Sequence, residues 1–162
     1  MPIEIRRARP DEVEELAEYT KRVHGDDYAF QASRFRHFID HNFIILARDA
    51  DQGTLVGRAL FEAIEEPKFG AAIIWGFDVG EGYQGQGIGT KMLQTLIDEA
   101  KRYFQDHQKK LRFLYLFTRS DNEIAHHLYE KFGFKKGPTI GKMFTDGEPD
   151  EMVMIRDFRG KN

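Results

Sequence analysis

Residues 83–89 read YQGQGIG and stand directly before TKMLQTLIDEAKRYF. Glycine loses more backbone freedom on ordering than any other residue, so this cluster asks for a reason. The chemistry that fits is anion binding. A strand running through glycines into a helix start leaves first-turn amides without internal partners, at the positive end of the helix dipole. Three phosphate motifs compete for the segment. A P-loop needs Lys and Ser/Thr after its last glycine. Gly82 and Gly87 have the spacing, but Ile88 and Gly89 occupy those positions, and the motif fails. GEGYQG (80–85) satisfies G-x-G-x-x-G and fits a dinucleotide site. Gln84-x-x-Gly87-x-Gly89 is the third, and the helical register favours it by starting the helix near Gly87.

Other residues could also do chemistry. SDNEIAHHLYEKFGF (120–134) carries Tyr129 on an apolar helix face, either a core residue or a phenol proton donor. His37 and His41 share a face at i, i+4, but HFIDH lacks the zinc-protease Glu and a third ligand, so no metal is expected. Adjacent His126 and His127 point in different directions and read as surface and rim. Asp26, Asp27 and Tyr28 lie between two helices, either a solvated turn or an attraction for a cationic amine. No Ser, His and Asp are spaced for hydrolysis.

The elements that must hold these residues follow from periodicity. IEIRRA (3–8) is a short strand, and Val13, Leu16, Ala17 and Val23 mark a helix after Pro10-Asp11. HGDDYAF (24–30) ends it, and SRFRHFID (33–40) is a second helix. FIILAR (43–48), TLVGRALFEAI (54–64) and AAIIWGFDV (71–79) are strands joined by short turn-rich segments, an antiparallel meander. After the glycine loop, Ile88, Met92, Leu93, Leu96, Ile97, Ala100 and Phe104 fall on one helical face. LRFLYLFT (111–118) closes a parallel βαβ unit. Ser120 and Glu123 fit a capping box for a helix bearing Ile124, Ala125, Leu128, Tyr129 and Phe132, ended by Gly133. TIGKMFT and EMVMIRDF form a final hairpin.

Composition narrows the classes. The chain has 162 residues, enough for a single domain over 1–162, with 41% hydrophobic and 31% charged residues. A net charge of −3 points to neither nucleic acid nor an anionic membrane as a partner. No apolar run approaches the roughly 20 residues of a membrane span, and MPIEIRRARPDE has no signal-peptide character. Cysteine is absent, which removes thiol nucleophiles and disulfides and fits a cytoplasmic protein.

Taken together, Gln84-x-x-Gly87-x-Gly89 and the run Asn122, Ala125, Leu128, Tyr129, Gly133, Phe134 resemble two signatures of the GNAT acyl-CoA-dependent N-acetyltransferases. The element order is similar from end to end. The resemblance implies an α+β fold: a mixed sheet, antiparallel at first, with one parallel crossover whose strands splay apart, and helices on both faces. It implies an acyltransferase that moves the acetyl group of acetyl-CoA directly to a primary amine of a small molecule or peptide, without a metal. A homodimer is a possible assembly. By that resemblance the amides of Gly85, Gln86, Gly87, Ile88, Gly89 and Thr90 hold the pyrophosphate, with Gln84 at the start of the loop. Phe77, Asp78 and Val79 line the pantetheine arm, Val79 supplies an oxyanion amide, Asn122 assists the arm, and Tyr129 protonates the leaving thiolate. The family's strand carboxylate or histidines fall here on Ile73 and Trp75, which accept no proton. The base is then Glu62, Asp78, Glu81 or water. An idle acyl-CoA sensor of the same fold is the competing reading.

Overall fold

The computed structural model describes residues 2–25, 32–41, 43–64, 66–143, 147 and 149–160. The acidic segment Asp26, Asp27 and Tyr28 lies outside them. Among the described residues, seven strands form one mixed sheet in the order β1-β2-β3-β4-β5-β7-β6, accompanied by four α-helices. The strands are β1 (Ile3–Arg7), β2 (Ile44–Asp49), β3 (Thr54–Ala63), β4 (Ala71–Val79), β5 (Phe113–Arg119), β6 (Lys135–Ile140) and β7 (Glu151–Asp157). The helices are α1 (Val13–His24), α2 (Ala32–Asp40), α3 (Ile88–Asp106) and α4 (Glu123–Lys131). The α+β class and mixed sheet agree with the sequence reading. No helix among the described residues is long and apolar enough to cross a membrane.

The chain divides into two compact units, with β4 and α3 each contributing to both. The first is Met1–Glu62 with Gly76–Ala100. Its strands β1, β2 and β3 pair antiparallel, from Ile3↔Asp49 and Ile44↔Leu60 onward. Val13, Leu16 and Tyr19 bury one face of α1, and Phe35, Phe38 and Ile39 bury one face of α2. Val23, expected on the buried face, is instead exposed. The Arg6 guanidinium grips Glu12 through two bonds of 2.7 and 2.8 Å, and Arg48 reaches Glu12 and Glu15, tying β1 and β2 to α1. Gly57 lets α3 approach β3: a Cβ there would stand 2.9 Å from the Met92 sulphur and 3.0 Å from the Asp78 carbonyl oxygen. Every apolar residue expected on the α3 face is buried.

The second unit is Ala63–Trp75 with Lys101–Asn162. β4 and β5 pair in parallel from Ala71↔Phe113 to Ile74↔Leu116, the crossover product expected of a βαβ unit. That ladder ends at Ile74, whereas β4 runs on to Val79. β7 pairs with β5 along its full length, and β6 pairs outside β7. A terminal antiparallel pair is therefore present, but its first strand is Lys135–Ile140, earlier than the expected TIGKMFT (139–145), and its second strand is the inner one.

Gly70 sets where β4 starts. Its carbonyl accepts from Arg112 N and Phe113 N at 2.6 and 3.0 Å, which brings β5 level with β4. Its φ is +67°, and a Cβ would lie 2.5 Å from the Lys110 carbonyl oxygen. A side chain here therefore meets both torsional strain and a backbone clash. Gly70→Ala is expected to cost about 1–3 kcal/mol, read as a lower urea midpoint. A variant as stable as the parent would show that this junction does not constrain the sheet.

Candidate active site

The loop between β4 and α3 is built for its main chain. Gly82, Gly85 and Gly87 have φ of 83°, 73° and 78°, a region L side chains rarely adopt. A Cβ at any of the three would meet nothing within 4 Å, so conformation and not crowding calls for glycine. Two side chains brace the loop from within: Gln84 Nε2 donates to the Val79 carbonyl at 3.0 Å, and Gln86 Nε2 to the Gly82 carbonyl at 2.9 Å. Ile88 anchors the helix start in the core. Tyr83 N donates to the Gly80 carbonyl and Lys91 N to that of Gly87. Between them, no amide from Gln84 to Thr90 finds an acceptor among the described residues. Such a run of donors at the start of a long helix is an anion-binding arrangement. The helix begins at Ile88, as the Gln84-x-x-Gly87-x-Gly89 register requires.

Phe77, Asp78 and Val79 close β4 in the same unit as this loop. Gly80 N donates across to the Val56 carbonyl on β3. Donors alternate along a strand, so the Val79 N–H points away from β3. Asp78 has company that the sequence reading missed. Arg58 Nε lies 2.9 Å from its Oδ2, and His24 Nε2 lies 3.1 Å from the same oxygen. Tyr19 faces this carboxylate too. Burial, then the negative charge of Asp78, pushes the Tyr19 phenol well above its usual range and keeps it protonated. Asp78 Oδ1, Arg58 Nη1 and the Tyr19 hydroxyl are buried with no hydrogen-bond partner among the described residues. One signal was visible in the sequence: Arg58 interrupts an otherwise apolar strand, and a buried cation needs a carboxylate.

A pocket of about 560 Å³ opens beside this cluster, bounded by Tyr19, Arg22, Val56, Val79, Gly80 and Gln84. Glu81 lines its rim and is exposed. Tyr83, also on the wall, donates to Asp49 Oδ2 at 3.1 Å. Glu62 lies elsewhere in the unit, 3.7 Å from His37 Nε2. The His37 and His41 rings approach to 4.5 Å, and no group of three or more His, Asp or Glu among the described residues could hold a metal.

The second unit carries Asn122 and Tyr129. Asn122, not Ser120, caps α4: its Oδ1 accepts from Ala125 N at 3.1 Å. The helix therefore starts at Glu123, and the capping box on Ser120 does not form. Tyr129 is buried, its ring 5.7 Å from that of Phe134. His126, expected at the surface, is buried as well, because its Nε2 pairs with the Arg119 carbonyl at 3.0 Å. Ile124, expected on the apolar face, is 86% exposed.

Comparison with known proteins agrees with this geometry. The sequence profile of the acetyltransferase (GNAT) family matches residues 9–134. A spermine/spermidine N(1)-acetyltransferase of Bacillus subtilis is 35% identical over 111 residues, which cover 66% of this chain and 66% of that protein. The [ribosomal protein bS18]-alanine N-acetyltransferase of Escherichia coli is 32% identical over 106 residues, or 64% of this chain and 67% of that one. The fold is shared with yncA of Salmonella typhimurium, solved with its cofactor acetyl-CoA: TM-score 0.77, 19% identity, covering 100% of this chain and 97% of the other. With its profile matched over most of its length, the chain belongs to the GNAT acetyltransferase family.

Proposed function

We propose that this chain is an acetyl-CoA-dependent N-acetyltransferase that passes the acetyl group directly to a primary amine of a small molecule or peptide. The observation that carries the reading is the run of unengaged amides from Gln84 to Thr90. Gly85, Gln86, Gly87, Ile88, Gly89 and Thr90 would hold the diphosphate through their N–H groups, and Gln84 keeps the loop attached to the strand end. The outward N–H of Val79 and the neighbouring main chain of Phe77 and Asp78 would receive the pantetheine arm and the thioester. Acetyl-CoA supplies an activated acyl group, and the chain supplies donors and proton carriers. A preorganised amide aimed at the carbonyl oxygen stabilises the negative charge of the tetrahedral intermediate, a contribution typically worth about 3–4 kcal/mol.

Tyr129 is assigned the proton that the leaving thiolate needs. A phenol of pKa about 10 can donate to a thiolate whose acid has pKa about 8–9. Asn122 would sit beside the arm while capping α4. Ile73 and Trp75 carry no basic group at the strand positions where the family resemblance would put a base, which is the feature that favours the sensor reading. Release of free CoA thiol in the presence of an amine separates the two, since a sensor binds without turnover.

Two variants test the assignment. Gly87→Val forces a side chain into a positive-φ position and blocks close approach to the amides. Its acetyl-CoA Kd is expected to rise about tenfold or more, equal to about 1.4 kcal/mol, by calorimetry; unchanged affinity would place the diphosphate elsewhere. Tyr129→Phe is expected to lower kcat about a hundredfold while leaving the acetyl-CoA Kd alone. Full turnover in that variant removes the phenol from the mechanism.

A further inference from the structure

The pocket of about 560 Å³ in the first unit takes its walls from α1, β3 and the loop after β4. The Val79 N–H points away from β3, so the pocket and that amide face different ways. Its size is that of a small-molecule site. The Tyr19 hydroxyl stands at its floor. Tyr19 is only 2% exposed, and the hydroxyl has no hydrogen-bond partner among the described residues. It lies against Gly80, where a Cβ would stand 3.8 Å from it. A buried donor without an acceptor is costly, so a ligand oxygen that reaches this one is favoured.

Two opposite charges stand at the mouth. Arg22, exposed on α1, has its guanidinium 5.3 Å from the centre of the Tyr19 ring and reaches the Leu55 carbonyl only at 3.4 Å. No carboxylate among the described residues pairs with it. Glu81, exposed on the loop, pairs with no cation among them either, and the two line one pocket without meeting each other. Asp78, the anion behind the floor, is already held by Arg58 at 2.9 Å, which leaves Arg22 as the surplus charge beside the hydroxyl. The rest of the wall includes Leu55, Val56, Val79 and Val23, and Val23 is 39% exposed although the α1 pattern groups it with buried residues.

We propose that this pocket binds a free α-amino acid with a large apolar side chain. Its carboxylate accepts from the Arg22 guanidinium and the Tyr19 hydroxyl, its ammonium pairs with Glu81, and its side chain covers Val23 and the branched residues beside it. A guanidinium fork suits a carboxylate in particular. Only a zwitterion meets every unmatched group. A carboxylate without an amine would leave Glu81 facing a like charge, and an amine without a carboxylate would leave two donors unmet. Glu81, Tyr83 and Gln84 belong to the loop that carries the amide run, so the occupant bears on that loop from the side of α1 and β3.

The test is calorimetry of the full chain with L-phenylalanine and with two analogues that each keep one charge, hydrocinnamate and phenethylamine. L-Phenylalanine is expected to bind with a Kd of about 1 mM or tighter, and each analogue about tenfold or more weakly than that. Arg22→Ala is expected to reduce L-phenylalanine to the affinity of phenethylamine, and Glu81→Gln to that of hydrocinnamate. Tyr19→Phe keeps the ring and removes only the hydroxyl. Its affinity for L-phenylalanine is expected to fall about fivefold, while the Tm of the free protein stays level or rises, as it should when a donor without a partner is deleted. Neither heat nor a raised Tm with L-phenylalanine overturns the inference. So does equal affinity for all three compounds, or parental affinity in both Arg22→Ala and Glu81→Gln.

Discussion

A main-chain N–H that finds no acceptor among the described residues must find one elsewhere, if only in water. The loop from Gln84 to Thr90 gathers such donors at one place, and most features nearby exist to keep them unengaged. The positive φ of Gly82, Gly85 and Gly87 turns peptide units outward. The two glutamine amides close the loop on its inner side and spend side-chain donors there, not on the outside. Ile88 and the apolar face of α3 hold the helix start rigid from below. Because these donors belong to the backbone, they need no lysine beside them, and a chain failing the P-loop pattern at Ile88 and Gly89 still turns a run of amides outward.

The same strand end carries the opposite kind of constraint. Asp78 and Arg58 place charge inside a sheet, where desolvation costs several kcal/mol per ion. A hydrophobic pair would serve stability as well or better. What the pair adds is a fixed carboxylate next to main-chain donors, beside a phenol kept neutral by burial first and by that negative charge second. The orphaned atoms Asp78 Oδ1, Arg58 Nη1 and Tyr19 hydroxyl mark a cluster whose polar capacity exceeds what its own neighbours use. Stability alone gives no account of that surplus.

Much of this was legible in the sequence, and the reasons it was not elsewhere are specific. The α3 face could be read because a long helix repeats its pattern enough times to fix a register, and every residue read as buried there is buried. α4 is shorter and was misread at its start, although Gly133 does end it. Ser120 and Asn122 are both good caps, and the choice fell to the one whose side chain reaches Ala125 N. Ile124 was placed by hydrophobicity and His126 by polarity, yet the interior position went to the residue that could satisfy a carbonyl. The β5-β7-β6 order was hidden because strand neighbours are set by long-range pairing, not by local pattern. The partners of Asp78 were hidden for the same reason: His24 and Arg58 meet it from α1 and β3.

These two constraints also differ in how freely they can vary. An amide nest depends on φ values and glycines, so the identity of most surrounding side chains is immaterial to it. An acceptor site depends on particular carboxylates, imidazoles and phenols, and one substitution alters it. A polyamine acetyltransferase and a ribosomal-protein alanine acetyltransferase stand at 35% and 32% identity to this chain. Two proteins named for such different amines are thus about equally similar to this one sequence. In this chain the amide run of the first unit is a feature of the first kind, and the side chains of α1 and β3 that converge on Asp78 are of the second, which one substitution alters.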